Sequence, residues 1–499
     1  MIRSWKNKFA PINRVPAEIL TLIPDFWDKN SREEAVITLT HVCRAWRDMF
    51  TSRSSLWTDF YCVDAEKTRV YLDRSKSSPI NLWLDREGGL FPHDPFLQIP
   101  PHALSRLKYL YINTAQDHFQ TITNYFSRPA PLLESLYIFG SSSNPFCNPV
   151  FATTLFNGDL SSLRVLCLHS LHTKLPWRNM VNLTSFTLGY VVDPRVTIGE
   201  LLDFLESAPS LLDIDFAFST PESGAQNGRL ISLARLRKLS FYGWEPPSLL
   251  LEHLLIPVGA EMSIDLDLYG PEIEHFLPRS LDNLRNLSNF TKVRLHFRDN
   301  YVSMQFAGPN GRVFTNSMSP GDDATSLVAQ SLATLDTSRT KWLEIIGSKL
   351  PSEGLRQELL SMGNLRTLTL SLCTDLPSFI LALAPVPGST NPMACPKLEE
   401  LTVRTEGRLD IETMVEVAAA RASGGSPLKS VGIINWGELV PREGVVELLK
   451  HVSHVETSVE VRNVDFGVGD RCNLDYGYGD GSDEEDWEGG DSGDDSSVS

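Results

Sequence analysis

The sequence predicts a mixed α/β protein: a short N-terminal helical unit, a long array of parallel strands with helices behind them, and a disordered acidic tail. Three observations predict it. Helix punctuation and apolar residues at helical spacing fill the first sixty residues. A six-residue pattern, L-x-x-L-x-L, then recurs about fourteen times, its last apolar positions falling roughly 20 to 33 residues apart. From Cys472 to Ser499 there are ten Asp and Glu and no Lys or Arg. At 499 residues the chain exceeds one ordinary compact domain, and its 42% hydrophobic content suffices for a large core. The expected divisions are an extension over 1–11, a helical unit over 12–60, a connecting helix or linker over 61–78, the array over 79–466 with an insertion at about 299–336, and the tail over 467–499.

The helical unit starts at "RVPAEIL". Pro16 suits a first helical turn, where a backbone donor is unpaired anyway, and Glu18 complements the positive end of the helix dipole. Ile19, Leu20 and Ile23 form a stripe, and Pro24 stops it. "SREE" then reads as a capping box, with Ser31 as cap and Glu34 reaching back. After it Val36, Leu39, Val42 with Cys43, Trp46 and Phe50 recur near 3.6 residues. Two or three short helices follow from this punctuation, and their stripe needs the rest of a small bundle or a second protein to cover it.

"VPAEIL" (Val15 to Leu20), "VCRAWR" (Val42 to Arg47) and the Leu56–Trp57 pair together resemble the F-box, over about 45 residues. Val15 stands where the family usually has Leu, and the proline of "IPDFW" interrupts what is usually a continuing first helix. The resemblance implies a three-helix unit whose apolar face packs on the adaptor of SCF-type cullin ubiquitin ligases. Carried over by position, Val15, Pro16, Ile19 and Leu20 of the first element and Val42, Cys43 and Trp46 of the second would contact the adaptor, while Leu56 and Trp57 would seal the far end. Any of these residues can instead serve the internal core.

The repeats begin with "INLWL" at Ile80 and continue through "LKYLYI" (Leu107), "LESLYI" (Leu133), "LRVLCL" (Leu163), "LTSFTL" (Leu183), "LDIDF" (Leu212), "LRKLSF" (Leu236), "SIDLDL" (Ser263) and "FTKVRL" (Phe290). They resume with "KWLEII" (Lys341), "LRTLTL" (Leu365), "LEELTV" (Leu398), "LKSVGI" (Leu428) and "TSVEV" (Thr457). Their period resembles that of leucine-rich repeats, in an irregular form lacking most of the asparagine ladder, and implies strands stacked in parallel as a solenoid. "VTIGELLDFLESAP" and "IETMVEVAAARA" are amphipathic and read as helices behind the strands.

Leu295 and Ile345 lie 50 residues apart, about two periods. The excess holds "YVSMQFAGPNGRVFTNS", in which Val302, Met304 and Phe306 alternate before a turn, so a hairpin is expected, followed by a helix from Asp322 with Asp323 as a candidate cap. Insertions on repeat scaffolds often sit at a binding face. A client is therefore expected on the C-terminal strands (Arg366, Thr367, Thr369; Glu399, Glu400, Thr402) and on this insertion. The corresponding N-terminal positions, Lys108, Tyr109, Tyr111, Glu134, Ser135, Tyr137, Arg164, Val165 and Cys167, are the alternative.

A net charge of −17 argues against non-specific binding to nucleic acid or an anionic membrane. Seven scattered cysteines without a C-x-x-C pair, no signal-peptide run and no membrane-length apolar stretch fit a cytoplasmic or nuclear protein. No motif of nucleophilic, metal-dependent or phosphate-binding catalysis is present, and "HVSH" (His451, His454) is the nearest approach to metal-ligand spacing. No enzyme activity, cofactor or metal is expected. In the tail, Ser482 and Ser492 precede acids at the third position, and "DSGDDS" resembles a phosphodegron, making Ser482, Ser492 and Ser496 candidate phosphorylation sites. With the resemblances, these readings imply a substrate receptor of an SCF-type ubiquitin ligase, bound through the adaptor to cullin and through its repeats to a protein client. The alternatives are an F-box scaffold outside the ligase, or a repeat interaction protein whose N-terminal helices only cap the array.

Overall fold

The structure is a computed structural model describing residues 10–459 except 28, 63–64, 86–98, 116–125, 142–149, 152–154, 159, 171, 174–179, 190–195, 218–227, 245, 267–275, 299–300, 310, 319–323, 348–361, 374–375, 386–392, 407–408 and 437–439. Asp323, the expected acidic tail and its Ser482, Ser492 and Ser496 lie outside the described residues. The fold is mixed α/β around one large, mostly parallel sheet of 17 strands. β1 (Asp59–Tyr61), β2 (Ile80–Asp85), β3 (Leu107–Ala115), β4 (Ser135–Ser141), β5 (Val165–His169), β6 (Ser185–Gly189), β7 (Asp213–Ala217), β8 (Lys238–Gly243) and β9 (Glu261–Leu266) lie side by side in chain order, all parallel. β13 (Trp342–Ile346), β14 (Thr367–Ser371), β15 (Glu400–Glu406), β16 (Ser430–Trp436) and β17 (His454–Val459) continue in the same manner.

Between these runs the sheet is built differently. β10 (Lys292–Arg298), β11 (Tyr301–Gly308) and β12 (Gly311–Met318) form an antiparallel meander, and β12 rather than β10 pairs with β9. β10 pairs with β13 on its other side. The expected hairpin is present, with Gly311 at φ 127°, a conformation that suits glycine. Its position differs from the expectation: it is set into the sheet between β9 and β10, with Val302, Met304, Phe306, Phe314 and Met318 buried. Five core side chains on two strands fix it there, because a hairpin standing off the scaffold would leave them in water.

In most repeats the three leucine-type positions go into the core: Leu107, Leu110 and Ile112, or Leu163, Leu166 and Leu168, are all at most 1% exposed, whereas Val459 of the last repeat is 45% exposed. Burial alternates along β2, β8 and β16, so one face of the sheet is core and the other stays half open. Parallel sheets usually have both faces covered. Here the helices α5 (Ile198–Ser207), α7 (Ala324–Thr334) and α9 (Ile411–Ser423) add buried residues to the one continuous core cluster. α5 carries a Thr197–Glu200 capping box and sets Phe204 against Phe186 of β6, ring centroids 4.5 Å apart. Arg421 of α9 is fully buried; its guanidinium donates to the carbonyls of Leu383, Ala394 and Cys395 at 2.9–3.0 Å, tying α9 to the chain before β15.

The N-terminal helices join this core directly. α1 (Ala17–Leu20), a 3-10 turn (Ile23–Phe26), α2 (Lys29–Val42) and α3 (Arg44–Ser52) are followed by a second 3-10 turn (Ser54–Trp57) that runs straight into β1. The sheet therefore starts inside the unit expected over 12–60, and α4 (Ala65–Ser75) is the expected connecting helix. Two local expectations change. α2 begins at Lys29, which puts Ser31 within its first turn rather than at its cap. The apolar stripe from Val36 to Phe50 is not one helix: Cys43, at φ −160° and ψ 173°, breaks it into α2 and α3. His454 opens β17 as an exposed strand residue, with His451 in the preceding turn.

Candidate docking surface

Packing within the N-terminal helices decides which apolar residues remain for a partner. Trp46 is 7% exposed; its ring meets Phe50 at 5.7 Å, and its indole N–H donates to Asn13 Oδ1 at 2.7 Å, tying a 3-10 turn at Pro11–Arg14 to α3. Trp57 is fully buried, donates to the Phe50 carbonyl at 2.9 Å, packs on Tyr71 of α4 at 4.9 Å and lies under the Arg74 guanidinium at 4.2 Å. Burial first, and the Glu33 carboxylate second, hold the Tyr71 hydroxyl well above its ordinary pKa, so it stays neutral. Leu20 and Leu56 are buried in the same cluster. Arg32 pairs with Asp25 at 2.8 Å and reaches Asp59 at 3.5 Å, linking the 3-10 turn, α2 and β1.

Of the nine residues expected to dock, the structure leaves Pro16, Ile19 and Val42 at the surface, half-buries Val15 and Cys43, and places Leu20, Trp46, Leu56 and Trp57 in the interior. The physical reason is periodicity: a stripe at helical spacing is the face that the bundle itself covers. The surface holds four large apolar side chains that the spacing did not single out, namely Ile12, Leu22, Phe26 and Trp27, with Phe26 88% exposed. "IPDFW", which reads as an interruption of the docking element, instead turns Phe26 and Trp27 outward on a 3-10 turn. Among the described residues, six of the seventeen exposed large hydrophobics (Ile12, Ile19, Leu22, Phe26, Trp27, Val42) fall before residue 43. Such a density over one short helical unit exceeds the scattered apolar exposure of the other described residues.

The open face of the sheet is the second candidate. Tyr61, Trp83, Tyr109 and Tyr137 form a ladder across β1 to β4 with ring centroids 4.9–5.6 Å apart, and Tyr111, Phe139 and His169 form a parallel one at 5.2–5.5 Å. Lys108 and Glu134 pair at 3.5 Å at the strand starts, and Cys167 is buried on β5. Burial raises the pKa of Tyr109 and of Tyr137 and lowers that of His169 to about 4, so these groups are uncharged at neutral pH. The positions expected to hold a client on the C-terminal strands are engaged with one another. Glu399 sits between Lys429 at 2.8 Å and Arg366 at 3.8 Å, Thr367 donates to Glu400 at 3.0 Å, and Thr369 is buried. Glu344, 5% exposed, is clamped by Arg294 at 2.6 Å and Arg404 at 3.8 Å.

Among the described residues no group of three His, Cys, Asp or Glu is placed to hold a metal ion, and no helix is long and apolar enough to cross a membrane. A recess of about 210 Å³ lined by Phe276, Leu277, Arg279, Gln330 and Thr334 brings no carboxylate, histidine or cysteine to its wall. Burial pushes the thiols of Cys167 and Cys373 up to about 12 and that of Cys395 up to about 11, which keeps them protonated and un-nucleophilic at neutral pH. No family model matches the chain, and no curated protein is similar to it at a significant level.

Proposed function

We propose that the chain is a substrate-recognition subunit of an SCF-type ubiquitin ligase. In this reading the N-terminal helices act as an F-box that docks on the ligase adaptor, and the strands act as an irregular leucine-rich-repeat solenoid that holds a protein client. The observation that carries the reading is the concentration of exposed apolar side chains, Ile19, Phe26, Trp27 and Val42 among them, on the helices that bear the "VPAEIL" and "VCRAWR" elements. The continuous core through Trp57, Phe60 and Tyr71 adds support, because it gives those helices a fixed attachment to the first strand. The chain itself performs no bond chemistry in this role. It raises the effective concentration of client lysines near the ubiquitin-loaded enzyme, for which fixed geometry matters more than tight binding.

The test is capture of adaptor and cullin by the full chain against an Ile19→Asp, Phe26→Asp variant. Both positions are exposed, so the fold is retained, whereas truncation of residues 1–60 would remove β1 and Trp57 from the core. Loss of two central anchors from an interface lowers capture by roughly a hundredfold. Undiminished capture by the variant rules the docking surface out. Adaptor without cullin would assign the chain to the scaffold role outside the ligase. Neither adaptor nor cullin with the wild-type chain would leave the helices as a cap over the β1 edge.

A further inference from the structure

The open sheet face changes character along the strand order in a way that defines a trough. On β3 and β4 the outward side chains are the half-buried rings of Tyr109 and Tyr137, tilted 36° to one another with centroids 5.3 Å apart. On β5 and β6 they shrink: Tyr137 is level with Cys167, and Cys167 with Thr187. Gly189 at the end of β6 lies beneath the His169 ring, which occupies the space a Cβ there would take and so closes that end. On β7 the next residue in the row is Asp215, with Asp213 two positions earlier. On β8 the row continues with Ser240, and Tyr242, 41% exposed, stands two residues further along that strand. With strands about 4.8 Å apart, the row from Tyr137 to Asp215 spans about 14 Å, the length of four or five extended residues.

The charges on the acidic side of this trough are uncompensated. Asp213 and Asp215 make no ion pair or side-chain hydrogen bond with any described residue, although Lys238 stands level with Asp213 on β8. An aromatic wall offers rigid amphipathic contact area, and partners' aliphatic stems and rings pack on such edges at little entropic cost. A floor of small side chains admits a main chain. Unpaired carboxylates one peptide-length away select cationic side chains and repel acidic ones.

We propose that this trough, over β5 and β6, binds an extended segment of a partner protein that presents a bulky apolar side chain to Tyr109 and Tyr137 and a Lys or Arg to Asp213 and Asp215. The identity of that partner as a client rests on the receptor reading above; the binding itself does not. It moves the client site from the C-terminal strands and the hairpin to the N-terminal half of the face.

The experiment measures fluorescence anisotropy of labelled ten-residue peptides with the full chain. One peptide has a Phe-Trp-Leu head and a Lys-Arg tail four residues on; a second carries Glu and Asp in the tail; a third scrambles the first. The expected result is binding of the first alone, weakened by salt, and reduced roughly tenfold or more by Asp213→Asn with Asp215→Asn. Asp213→Lys with Asp215→Lys should switch preference to the acidic-tailed peptide. Thr187→Trp should block binding by filling the floor without touching a charge. Circular dichroism melts of each variant identify any that fail to fold, and the salt dependence and peptide order preference of the wild-type chain decide the matter without them. Equal binding of all three peptides, no binding of the first, or indifference of a folded double Asn variant overturns the trough. Adaptor capture is run on the same samples. Capture retained with no peptide preference removes the trough and leaves the receptor reading, whereas peptide preference without adaptor capture does the reverse.

Discussion

Along the open face, strands β2 to β7 and strands β10 to β15 treat their polar atoms in opposite ways. In the C-terminal part every charge named above is answered by a neighbour: Glu344 by Arg294 and Arg404, Glu399 by Lys429 and Arg366. In the N-terminal part ring ladders dominate, with the Lys108–Glu134 pair at the strand starts, and Asp213 and Asp215 stand without a described partner. A surface that satisfies itself gains little from a visitor, because a binding partner must first displace contacts already made. A surface with half-exposed rings and unanswered carboxylates has interaction energy left over. The comparison therefore separates a part of the face that holds the fold together from a part available for recognition.

The largest way to break this division is to remove the hairpin. Replacing 301–318 with a short Gly-Ser linker is expected to abolish cooperative folding of the C-terminal strands, because β11 and β12 connect β9 to β10 and bury five large side chains. At roughly 2 kcal/mol each, their loss is about 10 kcal/mol, comparable with the whole stability of a domain. Thermal melts and limited proteolysis would show it. A nearly unchanged melt would mean that the hairpin is an appendage after all, and a client surface would again be open there.

Next in size is Arg421→Ala, which leaves three buried carbonyls without their donor and a cavity in place of the guanidinium. The expected cost is about 3–5 kcal/mol, read in chemical denaturation, with peptide binding to the trough unaffected. A cost below about 1 kcal/mol would show that the helices behind β15 do not depend on this anchor.

Alkaline pH probes both halves through their thiols. Cys167 lies on the trough floor, Cys373 and Cys395 beside the C-terminal strands, and all three have pKa values raised from 9.0 to about 11 or 12 by burial. The folded chain binds protons that the unfolded chain releases, so their contribution is fully present below pH 9 and is lost as pH climbs toward 11 and 12. Between about pH 9 and 10, below the range in which the raised tyrosines add their own contribution, stability should fall by about 1 kcal/mol per thiol per pH unit. Cys167→Ala should flatten that part of the slope by about one third, and an unchanged slope would mean that the Cys167 thiol is not buried in solution.

Much of this architecture is legible in the sequence, and the illegible part has a common cause. All fourteen leucine-type segments become strands, because their apolar positions fix which face is buried. The hairpin was visible in the alternation of Val302, Met304 and Phe306, but its pairing with β9 was not, since alternation says that a strand is half buried and nothing about its neighbour. The N-terminal helices divide likewise. Periodicity finds Leu20 and Trp46, which face inward; Phe26 and Trp27 carry no period and reach the surface through a 3-10 turn. The trough was invisible because its depth comes from side-chain sizes on strands that neighbour in space, with Tyr137 and Asp215 78 residues apart in the chain.

The smallest predicted effect is the sharpest test of the comparison. Glu344→Ala removes the carboxylate that Arg294 and Arg404 share, but those two side chains are 46% and 41% exposed and can turn to water. Screening and the entropy recovered by two freed arginines hold the cost to about 1 kcal/mol. The change in charge is larger than the change in stability: the cluster of Arg294, Glu344 and Arg404 across β10, β13 and β15 goes from a net +1 to +2. If the C-terminal part is inert only because its ion pairs are made, the variant should acquire weak, salt-sensitive affinity for the acidic-tailed peptide while its affinity for the Lys-Arg peptide stays at the wild-type value. A fall in Lys-Arg peptide binding would instead show that Glu344 itself helps to hold the basic segment, and the boundary between the two parts of the face would have to move from β9 to β13.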